Sequence, residues 1–208
     1  MNDFHKASAV LLAVLCVLPL FTGCDSSARE QQNIAEEDMP YGATMREDNS
    51  TFAIPMTYDR RFLEEEQVAA AADFIYAIQT SDSAGYQEAT FPFYAQYQMD
   101  EVYGLGSMDA LIDRLHDKIG SSTADDYQFN MLLINDISTN TDAGELSVIC
   151  DMLTEIYDGE GNFMDTVEHA WDLTVEWNIG FEENTQYAVV SDQHMFLFQT
   201  ADGCFCLM

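Results

Sequence analysis

The strongest constraint on the fold of this chain is a regular alternation of side-chain type between residues 167 and 181. Every second position is apolar, with one histidine among them: Val167, His169, Trp171, Leu173, Val175, Trp177, Ile179 and Phe181. Successive side chains of a strand point to opposite faces, so the pattern predicts a β-strand with one apolar and one wet face. At roughly 3.3 Å per residue it would be on the order of 50 Å long, so we expect it to curve or to contain a bulge.

Turn-forming residues divide the rest of the second half into shorter predicted strands. The strands cover residues 127–138, 145–157, 194–200 and 204–208, with turns at 139–144, 158–162 and 201–203. A short strand is also expected at residues 52–58. Pro55 places that strand at an edge of the sheet, because proline cannot donate to a strand ladder.

The first half of the chain has helical periodicity. Helices are predicted at residues 63–79, 82–89 and 107–119. The last is the clearest, because Ser107 can cap its first turn and Gly120 can end it. Its buried stripe is Leu111, Ile112, Leu115 and Ile119. Helices followed by strands predict an α+β fold, with N-terminal helices packed on a curved antiparallel sheet.

The first residues of the sequence predict an export signal. Residues 9–21 are apolar apart from Pro19, which is too short for a membrane helix of roughly 20 residues but suits a signal peptide. The stretch ends in Thr22-Gly23-Cys24, which resembles the lipobox of bacterial lipoproteins, with Phe21 where that family usually has leucine. The resemblance implies that residues 1–23 are removed and that acylated Cys24 anchors the protein at the extracytoplasmic face of the cell membrane. Cleavage elsewhere followed by secretion, and an uncleaved anchor, are the alternatives.

The charge of the chain excludes two classes of partner. The net charge is −30, and it stays there when the signal peptide is removed, because Asp3 and Lys6 leave together. Nucleic acids and anionic lipid headgroups are bound by clustered basic residues, so neither is an expected partner. Residues 24–50 are polar, acidic and without periodicity, which predicts a disordered tether after the lipidated cysteine. Residues 51–208 are predicted to form one domain.

The domain resembles the NTF2-like, or cystatin-like, superfamily over about residues 60–208. The resemblance is carried by the pattern Val68…Phe74-Ile75…Asp82…Tyr86 in the opening helices, by the long strands, and by Asp202-Gly203-Cys204-Phe205 in place of a familiar Asp-Gly-Lys-Trp. It implies a helix-lined cone whose concave sheet can enclose a pocket. Enzymes, ligand binders and dimerisation modules all use this fold, so the resemblance transfers no catalytic residue.

His169 is the leading candidate for a reactive group, because it is the polar residue on the apolar face of the long strand. Histidine titrates near neutrality and can shuttle protons, but a histidine at such a position is more often a hydrogen-bonded core or rim residue. The other candidate pocket residues are Tyr76, Tyr94, Tyr97, Trp171 and Trp177, with Asp73 and Asp82 as carboxylates that could lie near the mouth. The aromatic residues are more typical of packing than of a ligand cage.

The sequence contains no metal-binding or cofactor-binding motif, so no metal or cofactor is expected. Three cysteines remain in the domain: Cys150, Cys204 and Cys206. Cys204 and Cys206 are two apart in a predicted strand, which places their Cβ atoms too far apart for a disulfide. A bridge from Cys150 to either of them, or three reduced thiols, are the two alternatives.

These observations predict a membrane-tethered lipoprotein with a non-enzymatic binding or interaction domain. Its partner would be a small molecule, another protein or a second copy paired through the sheet. The alternative is a cofactor-free lyase or isomerase of the NTF2-like type that uses His169 as its base.

Overall fold

The computed structural model describes residues 35–48, 51–121, 124, 126–183 and 185–208. The chain divides into two compact units, residues 1–39 and 40–208. The described part of the first unit is a short 3-10 turn, Glu36–Asp38, with its flanking residues. The predicted signal peptide, Cys24 and most of the predicted tether lie outside the described residues.

The second unit is built on a six-stranded sheet whose strands lie side by side in chain order. The strands are β1 (Met45–Asp48), β2 (Met56–Asp59), β3 (Gln128–Ser138), β4 (Val167–Phe181), β5 (Gln186–Thr200) and β6 (Gly203–Leu207). All neighbours are antiparallel except β2 and β3, which are parallel, so the sheet is mixed. The α+β prediction is confirmed.

The bulge expected in the long strand is present. The pairing of β4 with β5 changes register between Val167 and His169, where the extra residue is in β4, and again between Val175 and Trp177, where it is in β5. Two further shifts interrupt the pairing of β3 with β4. A bulge bends its strand and increases the local twist, so a strand of 15 residues can follow a curved sheet.

The described residues form five α-helices: α1 (Glu65–Gln79), α2 (Ser83–Ala89), α3 (Pro92–Tyr97), α4 (Met108–Gly120) and α5 (Gly144–Ile156). A turn of π-helix, Gln98–Val102, continues from α3. The predicted cap of α4 is confirmed, since Ser107 Oγ accepts a hydrogen bond from the Ala110 backbone at 3.2 Å. The Asp82 side chain caps α2 in the same way.

Helix α5 corrects the prediction of a strand at residues 145–157. Leu146, Cys150 and Leu153 are buried, and their spacing of four and three residues places them on one helical face. Val148 lies on the opposite face and is exposed. The segment at 158–162 therefore joins α5 to a 3-10 turn, Phe163–Thr166, instead of joining two strands.

The sheet is buried on both faces over part of its area. The larger core lies among α1, α2, α4 and the sheet, and it includes Met195 and Leu197 of β5. A second core contains residues of α3, α5 and the sheet, and it includes Phe196 and Phe198 of the same strand. Consecutive residues of β5 thus pack in different cores, because successive side chains of a strand point to opposite faces of the sheet. The expectation that one face of β4 is wet is wrong at Ala170 and Asp172, which are both buried.

The folded unit begins before residue 51, where the sequence predicts a tether. Strand β1 pairs with β2, and the segment that leads into β1 is held by the buried carboxylate of Asp59. That carboxylate accepts hydrogen bonds from Gly42 N at 3.0 Å and Thr44 Oγ1 at 2.8 Å, and it forms an ion pair with Arg61 at 2.6 Å. A short polar strand of this kind depends on tertiary contacts, so it has no periodic signature in the sequence.

Candidate functional site

His169 is exposed near the start of β4, and its ring centre lies 5.6 Å from that of Trp171. Both residues line a cleft of about 330 Å³ together with Glu64, Arg61 and Gln199. Within the described ranges, no carboxylate forms a hydrogen bond or an ion pair with His169. The core ends at this point of the strand, so His169 is a rim residue.

The structure does not bring the other predicted pocket residues together. Trp171 and Trp177 belong to the larger core, and Tyr94 is buried in the smaller one. Tyr76 is 43% exposed and lines a separate cleft with Asp73 and Asp82. Tyr97 is half-buried on α3. The space expected beneath the sheet is occupied by packed side chains.

The three domain cysteines are free thiols. Cys150 lies in the smaller core, whereas Cys206 lies in the larger core and Cys204 packs against it. Burial raises the pKa of all three thiols. The structure therefore has three reduced thiols, and Cys150 forms no disulfide with Cys204 or Cys206.

The structure forms a histidine–carboxylate pair that the sequence does not predict. His194 Nδ1 of β5 donates a hydrogen bond to Asp172 Oδ1 of β4 at 2.7 Å. Glu145, in the first turn of α5, lies 3.9 Å from the same nitrogen. The hydrogen bond to Asp172 raises the pKa of His194 above its ordinary value. The imidazole thus satisfies a buried carboxylate of β4 and lies close to Glu145 of α5, which is a structural role.

Five aromatic side chains line a groove of about 510 Å³ beside the smaller core. We call it the aromatic groove. Its rings are Phe91, Phe93, Tyr157, Phe163 and Phe205. They come from distant parts of the chain: the start of α3, the end of α5, the 3-10 turn and β6. A proline at the first position of α3 fixes the start of that helix, and with it the two phenylalanines on either side.

The rings of the aromatic groove contact each other as one cluster. The ring centre of Phe91 lies 4.6 Å from that of Phe205, 5.1 Å from that of Phe163 and 5.4 Å from that of Phe93. Tyr157 extends the cluster, with its centre 5.3 Å from that of Phe93. Phe91 and Phe163 are buried, while Phe93, Tyr157 and Phe205 are half-buried. The groove therefore has a packed aromatic floor and aromatic walls that a ligand can touch.

Gly159 allows Tyr157 to take its place in the wall. A Cβ atom at position 159 would clash with the ring carbon Cζ and the hydroxyl oxygen of Tyr157. A side chain there would require the ring to shift from its place in the wall. The glycine in the loop after α5 thus leaves the space that the ring occupies.

Among the described residues, the charged side chains that line the aromatic groove are all acidic. Asp165 lies in the 3-10 turn, Glu168 in β4 and Asp202 in the turn between β5 and β6, and all three are exposed. None of them forms an ion pair with another residue in the described part of the chain. The groove combines aromatic surface with a negative rim.

No family model, curated protein or solved structure matches this chain. The function of the site is therefore inferred from the chemistry of its residues. Among the residues that the structure describes, no group of three or more His, Cys, Asp and Glu side chains is arranged to hold a metal ion. None of the described helices combines the length and the apolar composition needed to cross a bilayer.

Proposed function

We propose that this protein is a lipid-anchored extracytoplasmic lipoprotein whose domain binds a ligand in the aromatic groove and catalyses no reaction. The observation that carries the proposal is the groove itself. It has about 510 Å³ of space and three half-buried aromatic side chains at its surface. Ligand sites typically occupy about 300–1,000 Å³ and are lined mainly by apolar and aromatic side chains with a few polar groups.

The enzymatic alternative has less support. A base needs a pocket and a group that orients it, and His169 is exposed and lacks a carboxylate partner among the described residues. We further propose an NTF2-like fold, because helices packed on a sheet with bulged long strands are compatible with it. Pairing of two copies through the sheet also stays a proposal, supported by Tyr187 and Val189 of β5, which are 74% and 50% exposed.

Anchoring through Cys24 is tested by the mass of the mature protein. We expect the chain purified from bacterial membranes to begin at Cys24 and to carry a diacylglycerol and its acyl chains. The variant Cys24→Ser should lack this mass and leave the membrane fraction, because two or three acyl chains are needed for stable anchoring. A membrane-bound protein with an unmodified Cys24 would contradict the proposal.

Ligand binding in the groove is tested with benzyl alcohol, a soluble neutral aromatic probe. We expect it to shift the ring-proton NMR signals of Phe93, Tyr157 and Phe205 in the full-length protein in a non-ionic detergent. Phe93→Leu should weaken binding roughly three- to tenfold, because an aromatic pair contributes about 0.5–1.5 kcal/mol beyond its buried area.

The matched control is Phe62→Leu. Phe62 is also partly exposed but lies outside the groove, against Tyr41, so this variant should bind the probe as the parent protein does. Equal effects of the two substitutions, or no shift of the groove signals, would refute the groove as the binding site.

A further inference from the structure

We infer that the ligand of the aromatic groove is an organic cation with an alkylated ammonium group. The inference rests on the proposed function, because it names the chemistry of the ligand at the same site. The groove combines two properties: it has accessible aromatic side chains, and the charged residues described at its rim are all acidic.

The aromatic side chains attract a cation independently of the acidic rim. The face of an aromatic ring carries a negative partial charge, and an ammonium group within about 6 Å of the ring centre is attracted to it. Phe93 and Tyr157 have ring centres 5.3 Å apart and an interplanar angle of 71°. The two rings pack edge to face and form one wall, and an ammonium group that lies against this wall would be attracted to the ring face that it touches.

The rim selects for positive charge at longer range. The carboxylates of Asp165, Glu168 and Asp202 lie on three different segments around the groove, and no Lys, Arg or His is among the described residues that line it. These carboxylates are exposed, so their attraction to a ligand is screened by salt. An anionic ligand would be repelled from the same position.

An alkylated ammonium fits these properties better than a metal ion. Hard metal ions need several oxygen ligands converging at about 2.0–2.6 Å, and no such cluster is present among the described residues. Aromatic carbon does not replace those oxygens. A quaternary ammonium group has an apolar surface that packs on the rings and a charge that needs no direct hydrogen bond.

The test compares acetylcholine with 3,3-dimethylbutyl acetate, which has the same shape and no charge. Both are titrated into the full-length protein in a non-ionic detergent, and the groove ring signals are followed by NMR. We expect the dissociation constant of the cation to be about tenfold lower than that of the neutral isostere. Raising the salt concentration should weaken the binding of the cation and leave that of the isostere unchanged.

Two variants separate the effect of the rim from that of the net charge of the protein. Glu168→Gln combined with Asp202→Asn should weaken acetylcholine binding and leave binding of the isostere unchanged. Glu101→Gln removes an exposed acid of the π-helical turn that does not line the groove, so it should have no effect on either ligand.

The outcomes distinguish the inference from the function on which it rests. Equal binding of the two ligands, both weakened by Phe93→Leu, would overturn the cation inference and leave the groove as the binding site. Tighter binding of the cation that Glu101→Gln reduces as much as the rim substitutions would also overturn the inference, because general electrostatic attraction explains it. Binding of neither ligand at the groove signals would overturn both proposals.

Discussion

Asp59→Asn is expected to lower the free energy of unfolding by about 3–5 kcal/mol. Asp59 is fully buried, and the side chain of its ion-pair partner Arg61 is only 12% exposed. The substitution leaves a guanidinium group without its buried counter-charge. It also weakens the hydrogen bonds that Gly42 and Thr44 donate to the carboxylate, so β1 should separate from β2 first.

The measurement is urea unfolding followed by circular dichroism at neutral pH. The matched control is Glu65→Gln, which breaks the exposed ion pair between Glu65 and Arg46. Exposed pairs contribute about 0–1 kcal/mol, so this variant should unfold close to the parent protein. A loss below 1 kcal/mol for Asp59→Asn would show that the carboxylate is not the element that holds the start of the domain.

The same residue makes stability depend on pH. Hydrogen bonds from Arg61 hold the pKa of Asp59 well below its ordinary value, which is about 3.9 in an unfolded chain. A carboxyl group with a lowered pKa in the folded state stabilises the fold fully above the unfolded value. This contribution is lost as the pH falls from about 4 towards the folded pKa. The Asp59→Asn variant should lack this component of acid unfolding.

The sequence predicts those parts of the fold that have a local signal. Helix α4 is predicted at residues 107–119 and found at Met108–Gly120, because its cap and its apolar stripe both act within one segment. Gly120 is itself the last helical residue, and the C-cap is Ser121. The long strand β4 is predicted at its observed bounds because its alternation also acts within one segment. The core positions Trp171, Leu173 and Val175 follow from the alternation.

Helix α5 shows why a local signal can fail. Leu146, Val148, Cys150 and Met152 alternate as in a strand, while Leu146, Cys150 and Leu153 are spaced as in a helix. Both periods fit the segment. Packing of the helical face against Phe163, Phe196 and Phe198 decides between them, and these contacts are distant in sequence.

The candidate site depends on such distant contacts throughout. Phe91 and Phe205 are more than a hundred residues apart in the chain, yet their ring centres lie 4.6 Å apart. The pairing of Asp172 with His194 depends on the register of β4 and β5, which the two bulges set. A signal for the groove is present in Phe91-Pro92-Phe93, where two aromatic residues flank a proline, but it does not identify the partners of those residues.

Leu153→Ala is expected to lower the free energy of unfolding by about 2–5 kcal/mol, which is the range for truncating a large buried side chain. Leu153 is fully buried in the smaller core. The cavity would loosen α5, and Tyr157 directly follows this helix, so the ring-proton signals of the aromatic groove should broaden as well. Urea unfolding of the variant measures the loss of stability, and its NMR spectrum shows whether the ring-proton signals broaden.

Val148→Ala is the control that makes this prediction decisive. Val148 lies on the same helix and is 66% exposed, so its truncation should change stability by less than about 0.5 kcal/mol. In a strand, Val148 would share a face with Leu146 and Cys150, and Leu153 would point to the opposite face. Val148→Ala would then be the costly substitution. A larger loss for Val148→Ala than for Leu153→Ala would therefore contradict the helix, and with it the position of Tyr157 in the wall of the groove.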